Sequence, residues 1–344
     1  MRTSHFDYTL PPELIAQTPA EPRDSSRLMV LHRDSDRIEH RRFWDIGDYL
    51  GLGDLLVFND TRVIPARLCG RRPTGGQVEL LLLRKLADGS WEALVKPGRV
   101  KVGERVSVGP TGSGNTALEA VVQEQCGGGA RIVRFSHPEL VEGAGQVPLP
   151  PYIHQPLADA ARYQTVYARA KGSAAAPTAG LHFTPELLQN LGAKGVRSAF
   201  LTLHIGMDTF RPVREEDPRR HQIHSEYGEM GAQAAELVNR TKAEGGRVVC
   251  VGTTSVRTVE AVTAANDGKL VPFIGKVDLF ILPGFQFRVA DAMITNFHLP
   301  RTTLLMLTSA FSGREFLLRA YQEAIDQRYR FYSFGDAMLV LYYD

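Results

Sequence analysis

Five apolar runs in this chain stop abruptly at polar side chains that could do chemistry. L-L-V-F ends at Asn59-Asp60-Thr61-Arg62, F-L-T-L at His204-Ile205-Gly206, and V-V-C-V at Gly252-Thr253-Thr254-Ser255. M-I-T ends at Asn296-Phe297-His298, and Y-R-F-Y at Ser333-Phe334-Gly335-Asp336. A sixth stretch, S-A-A-A-P-T-A-G-L-H-F-T over 173–184, is nearly featureless backbone carrying one imidazole, His182. It runs into Thr184, Pro185 and Glu186, which suit a helix start: a capping hydroxyl, proline at the first position and an acid near the positive end. Imidazoles titrate near neutral pH, so His182, His204 and His298 are candidates for acid/base work. Loops are often polar, which accounts for any one of these switches. Five of them point to one shared site beyond the carboxyl ends of the strands of an α/β sheet.

Gly252-Thr253-Thr254-Ser255-Val256-Arg257 joins a strand to a helix. Backbone donors and three hydroxyls at a helix start suit a carboxylate or a phosphate; plain capping by Thr254 or Ser255 accounts for the same residues. No Walker loop and no strand-following G-x-G-x-x-G is present, and Gly112-Ser113-Gly114 reads as a hairpin turn. His221-x-x-His224-x-Glu226 has metal-ligand residue types, but H-E-x-x-H is absent and no cysteine pair supports it. An acid/base or substrate-positioning role fits these groups better, so no metal is expected. Basic residues cluster at Arg62, Arg67, Arg71 and Arg72, at Lys96, Arg99 and Lys101, and at Arg211, Arg214, Arg219 and Arg220. Solvated loops or RNA phosphate contacts both explain such clusters.

The elements that would hold these groups fall into two compositions. Residues 70–149 are glycine-dense with short alternating runs (V-E-L-L-L-L, W-E-A-L-V, R-V-S-V, L-E-A-V-V, R-I-V-R-F), which predict a small all-β barrel or sandwich. Pro148-Leu149-Pro150-Pro151 forms a stiff exit. On either side, residues 1–69 and 150–344 read as one discontinuous α/β domain, a mostly parallel sheet with covering helices. Its predicted strands include Leu28–Leu31, Ala199–His204, Arg247–Val251, Ala292–Phe297 and Tyr329–Phe334. Its helices cover Gly231–Ala243, Val256–Ala265, Thr302–Phe311 and Glu315–Gln327. With 344 residues, 43% hydrophobic and 23% charged, the chain has ample core. A net charge of +2 means that any nucleic acid must be met by local patches. Three distant cysteines fit no disulfide framework, and neither a signal peptide nor a membrane span is evident. A cytoplasmic protein with no membrane contact is expected.

The chain resembles the S-adenosylmethionine:tRNA ribosyltransferase-isomerases of queuosine biosynthesis. The likeness runs end to end, through F-D-Y-T-L-P-P-E-L-I-A-Q, P-R-D-S-S-R-L, F-N-D-T-R-V-I-P-A-R, P-L-P-P-Y-I, A-A-P-T-A-G-L-H-F-T, L-T-L-H-I-G-M-D-T-F-R-P-V, H-Q-I-H-S-E-Y, V-G-T-T-S-V-R-T-V-E and T-N-F-H-L-P-R-T-T-L-L-M-L. The segment 70–149 matches least. The chain departs from the family pattern at Asp208, where glycine is usual, and at Thr302, where serine is usual.

The resemblance implies an α/β body with an inserted β-barrel. It implies S-adenosylmethionine as co-substrate and ribosyl donor, with no prosthetic group. The acceptor is 7-aminomethyl-7-deazaguanine at the tRNA wobble position, and the product is epoxyqueuosine with adenine and methionine released. On that basis His182, His204 or His298 would supply the acid and base. Asp60 or Glu226 would orient a histidine or hold ribose hydroxyls. Thr178, Gly180, Thr253, Thr254, Ser255, Arg257 and Asn296 would line the donor pocket, with Arg257 clamping the methionine carboxylate. Arg62, Arg67, Arg211 and Arg214 would meet tRNA, and Phe183, Phe210 or Phe297 could stack on the exposed base. A monomer is expected. Two rival readings share the same loops: a phosphosugar or nucleotide transferase, and a non-catalytic RNA-binding protein.

Overall fold

The computed structural model describes residues 1–109, 118–126, 129–206, 212–223 and 225–342. Asp208, Phe210, Arg211, His224 and the expected hairpin turn at Gly112–Gly114 lie outside them. The strands, in chain order, are β1 (Arg27–His32), β2 (Arg37–Arg42), β3 (Leu55–Asn59), β4 (Thr61–Val63), β5 (Arg67–Arg71), β6 (Gln77–Lys85), β7 (Trp91–Lys96), β8 (Arg105–Val108), β9 (Leu118–Gln125), β10 (Ala130–Phe135), β11 (Ala170–Ser173), β12 (Arg197–His204), β13 (Glu226–Met230), β14 (Val248–Val251), β15 (Phe273–Val277), β16 (Ala292–Asn296) and β17 (Ala337–Leu341). The α-helices are α1 (Val141–Ala144), α2 (Pro185–Ala193), α3 (Ala232–Ala243), α4 (Thr253–Ala264), α5 (Thr303–Ser312) and α6 (Arg314–Asp326). Two compact units result, one of Met1–Thr61, Pro151–Arg169 and Pro177–Asp344, the other of Arg62–Pro150 and Ala170–Ala176.

The first unit holds a nine-stranded sheet in the order β15-β13-β12-β3-β14-β16-β17-β1-β2. It is more mixed than the strand–helix alternation implied. β12, β3, β14 and β16 run parallel, but β17 turns back against β16, β1 follows β17, and β2, β13 and β15 each pair antiparallel with a neighbour. The central strands are buried on both faces, so their sequences are continuous apolar runs. Their side chains still alternate. Leu55, Val57, Cys250, Met293 and Val340 enter a core covered by α3, α4, α5 and α6, while Leu56, Phe58, Val249, Ile294 and Leu339 enter a second core. That second core is covered by α2 and by 3-10 turns at Phe43–Asp48 and Thr178–His182.

The strand expected at Tyr329–Phe334 is instead a buried loop. Tyr332 has φ 72°, and residue 331 makes only an isolated bridge with Ile15. Asp336 fixes this loop by accepting the Arg27 and Arg330 amides, each at 2.8 Å. The true strand is β17, immediately after it. Because β17 is antiparallel to β16, Ala337 sits opposite Asn296, and Leu28 sits beside Ala337. The starts of β17 and β1 therefore lie at the same edge as the carboxyl ends of β3, β12, β14 and β16.

In the second unit a closed six-stranded barrel has the order β10-β7-β6-β5-β8-β9, every neighbouring pair antiparallel. β4 and β11 form a separate two-stranded ribbon. The unit begins at Arg62, ahead of the composition change at 70, and takes in Ala170–Ala176, which no change of composition marks.

Candidate active site

Strand alternation sorts the candidate residues onto two sides of one sheet edge. On the side of α2, Asp60 continues the Leu56–Phe58 row. Its Oδ1 accepts from the Thr202 hydroxyl at 2.6 Å and its Oδ2 from Arg169 Nη2 at 2.7 Å. The Asp60 carboxylate is buried although the Arg169 side chain is 79% exposed. His204 ends β12 half-buried, with Nδ1 2.7 Å from the Thr61 hydroxyl. Its Nε2 makes no hydrogen bond among the described residues. Burial lowers its pKa, and the charges of Asp60 and Glu229 pull the other way.

His182 shares this side but is fully enclosed. Its ring stacks on Phe43 with centroids 5.0 Å apart. Thr178 donates to Asn296 Oδ1 at 2.9 Å, Asn296 Nδ2 meets His182 Nε2 at 3.1 Å, and His182 Nδ1 meets the Ser26 hydroxyl at 2.7 Å. The chain of donors leaves the ring proton on Nδ1, pointing at Ser26. Burial, reinforced by the cations Arg330 and Arg23, pushes the pKa down to about 3. The ring is thus neutral at physiological pH and positions its neighbours better than it delivers a proton. Gly180 does not open space for a ligand: a Cβ there would lie 2.0 Å from the Tyr167 hydroxyl, so the glycine admits the tyrosine.

On the other side, the helix start at α4 has Gly252 as its cap residue at φ 90°, with no side-chain cap, so neither Thr254 nor Ser255 caps it. Ser255 turns back to the Val251 carbonyl at 2.9 Å, away from any ligand. Thr253 and Thr254, in the first turn, line a narrow cleft with Ile223, Arg257, Phe280 and Leu304. Arg257 is not a free clamp. Its Nη1 lies 3.0 Å from Glu226 Oε2 and its Nη2 donates to the Val277 carbonyl at 2.9 Å. Glu226 Oε1 in turn accepts the Gly206 amide at 3.1 Å. His298 lies on this side too, its Nε2 2.8 Å from the Thr295 hydroxyl. Burial alone pushes its pKa down to about 3. Its backbone carbonyl accepts from the Tyr8 hydroxyl and its amide donates to that of Tyr321.

Two expected roles fail on burial. Phe183 packs edge-on to Phe43 and Phe58, and Phe297 against Tyr321, Tyr329 and Phe331, so neither ring can stack on a base. The basic candidates Arg62 and Arg214 are exposed, whereas Arg67 is half-buried, with Nη2 3.5 Å from the Leu149 carbonyl and Nε 3.9 Å from Glu79. His221 is held by Glu215 at 2.9 Å. Among the described residues no cluster of His, Cys, Asp and Glu suits a metal ion. Ser26, Arg23 and Arg169 are site neighbours that carry no signal as single letters, whereas Asn59 stands in one of the polar switches. Ser26 lies within P-R-D-S-S-R-L, just where a polar segment becomes β1, and that switch is the one trace of it in the sequence. Asn59 holds the Leu203 amide and carbonyl at 3.0 and 2.9 Å, fastening β3 to β12 at the rim.

The family model for queuosine biosynthesis proteins matches residues 3–340. The chain belongs to this family. It is 55% identical to the S-adenosylmethionine:tRNA ribosyltransferase-isomerase of Symbiobacterium thermophilum, over 99% of this chain and all of that one. It is 54% identical to the protein of the same name from Dehalococcoides mccartyi, with the same coverage. Among solved structures, the S-adenosylmethionine tRNA ribosyltransferase of Thermotoga maritima is similar with a TM-score of 0.57 and 43% identity, covering 98% of this chain and all of the other. In this queuosine-family chain the motifs F-N-D-T, L-T-L-H and T-N-F-H all end at the two-sided rim.

Proposed function

We propose that this protein is an S-adenosylmethionine:tRNA ribosyltransferase-isomerase working at the rim of the nine-stranded sheet. It moves the ribosyl unit of S-adenosylmethionine to the aminomethyl nitrogen of 7-aminomethyl-7-deazaguanine at the tRNA wobble position and isomerises it. Epoxyqueuosine-tRNA forms, and adenine and methionine leave. The observation that carries this reading is 55% identity over the full length to an enzyme named for the reaction. The rim supports it independently, because it offers separate places for the two ends of the donor.

The methionine end is a zwitterion. The amides at the start of α4 and the Arg257 guanidinium suit its carboxylate, and Glu226 suits its ammonium. This revises Arg257 from a lone clamp to half of a buried pair that matches both charges. The ribose then extends over the strand ends, where Asp60 can accept its hydroxyls. The first step is removal of a proton from the carbon beside the sulfonium. His204 fits that role: it is half-exposed, neutral at physiological pH, and its Nε2 is unengaged among the described residues. The imidazolium so formed is a proton source for departing adenine, which takes the glycosidic electron pair. His182, Asn296, Thr178 and Ser26 hold the rim in shape.

Incubation with S-adenosylmethionine and tRNA bearing the deazaguanine precursor should release free adenine in step with tRNA modification. Absence of adenine with a verified substrate would overturn the proposal. His204→Ala should lower kcat by about 10² to 10⁴ in a folded protein. Arg257→Lys should raise the donor KM; an unchanged value removes the methionine end from α4.

A further inference from the structure

The near-neutral chain is not neutral piece by piece. The barrel-containing unit, Arg62–Pro150 with Ala170–Ala176, has thirteen Lys and Arg against eight Asp and Glu, a net +5. The other unit has the remaining 27 and 30, a net −3. Within the barrel the excess is uneven. At the end bearing the 86–90 turn, Arg84 pairs with Glu92 at 3.2 Å and Arg134 with Asp88 at 2.9 Å. At the opposite end, β5, β7 and β9 finish, and Arg71, Lys96, Arg99 and Lys101 are exposed with no ion pair among the described residues. Two of the acids there are already engaged, while Glu124, exposed near the end of β9, makes no ion pair among the described residues. Glu104 takes Arg72 in a two-pronged pair at 2.6 and 2.9 Å and accepts the Lys101 amide, and Glu79, across the ladder from Lys96, lies 3.9 Å from Arg67.

This end is also built rather than merely charged. Arg131 is buried, and its guanidinium donates to the carbonyls of Gly98 at 2.6 Å and Gly129 at 3.1 Å, tying the 97–104 loop to the residue just before β10. Val102, at the tip of that loop, is 55% exposed. A fixed loop carrying unneutralised cations around one apolar tip matches a sugar–phosphate backbone, whose affinity comes from displaced counterions.

We propose that this end of the barrel, through Lys96, Arg99, Lys101 and Arg71, is the docking surface for the backbone of the tRNA substrate. The assignment rests on the tRNA-modifying function proposed above and gives the barrel its part in it. The barrel reads charge and shape, and the sheet rim handles the base. None of these four residues belongs to the catalytic rim.

The test compares wild type with Lys96→Ala/Arg99→Ala/Lys101→Ala and with a control at the paired end, Arg84→Ala/Lys85→Ala. Binding of full-length tRNA is measured against salt, and adenine release is measured at saturating tRNA. The triple variant should bind tRNA at least about tenfold more weakly. Its plot of log affinity against log salt should be shallower by about 2 to 3, roughly one unit for each phosphate no longer neutralised. Its kcat should stay within about twofold of wild type, because the variant leaves the chemistry untouched. The control should bind as wild type does. Lys96→Arg/Arg99→Lys/Lys101→Arg should restore binding, since charge and not shape is at issue. Unchanged affinity and slope in the triple variant would overturn the docking assignment, as would an equal loss in the control or failure of the charge-preserving variant to recover. A wild-type protein that binds tRNA but releases no adenine would instead refute the catalytic reading and leave the docking result to stand.

Discussion

Burial separates the three histidines. His182 and His298 are enclosed and held near a pKa of about 3, so neither carries charge at neutral pH. His204 keeps one side open and is opposed by nearby carboxylates. The same burial couples stability to pH. In the unfolded chain a histidine binds a proton below about pH 6.5, whereas the folded protein keeps these two neutral down to about 3. The unfolded state therefore holds more protons between those values, and stability rises with pH across that window and is lost as pH falls. Each ring should contribute a slope of about 1.4 kcal/mol per pH unit there. Denaturant unfolding between about pH 4 and 6.5 measures it. His298→Gln should remove one share of the slope, and an unaltered slope would show that its burial is not responsible. The letters H-F-T, L-H-I and F-H-L name the three rings equally well; only the packing around them separates one half-exposed imidazole from two enclosed ones.

Among the elements, the 3-10 turn at Thr178–His182 packs against the rim. It carries Thr178 into contact with Asn296, and His182 into the cage of Phe43, Ser26 and Asn296. Gly180 lets it approach the Tyr167 hydroxyl. Gly180→Ala should therefore cost about 1–3 kcal/mol by overpacking. Tyr167→Phe in the same chain should return part of the loss, because the hydroxyl is the nearest obstacle. Thermal unfolding of the single and double variants checks this, and a neutral single variant would mean that the turn shifts without strain. The segment was legible as a small-residue turn before a capped helix, and Thr184 does cap α2 through the Leu187 amide at 3.1 Å. That the space beside Gly180 is filled by Tyr167 was not legible, since no local pattern links the two positions.

At the scale of the molecule, charge is segregated while the total stays near zero. A substrate polyanion senses the basic unit, whereas a small donor of net charge +1 does not depend on it. Raising salt from about 50 to 200 mM should therefore increase the KM for tRNA at least tenfold, with less than a twofold change in the KM for S-adenosylmethionine. Parallel steady-state titrations measure both, and equal salt responses would remove electrostatic capture as the basis of tRNA recognition. No α-helix among the described residues is long and apolar enough to cross a membrane.

Most element types, the β character of 70–149, the polar strand ends and the family were all legible in the letters, because period-two and period-3.6 patterns and long motifs are local properties of the chain. The letters were least informative where a strand lacks an apolar pattern. β2 reads R-I-E-H-R-R, the charged edge of the sheet, and β13 reads E-Y-G-E-M, whose first letter looked like chemistry alone. The apolar letters of Tyr329–Phe334 suggested a strand, yet they fill a loop pinned by Asp336, and the strand follows it. Folding in three dimensions was needed to give the rim two sides, to join Arg257 to Glu226, and to make Phe183 and Phe297 core. Those facts depend on the alternation of side chains across paired strands and on partners far away along the chain, which no window of sequence contains.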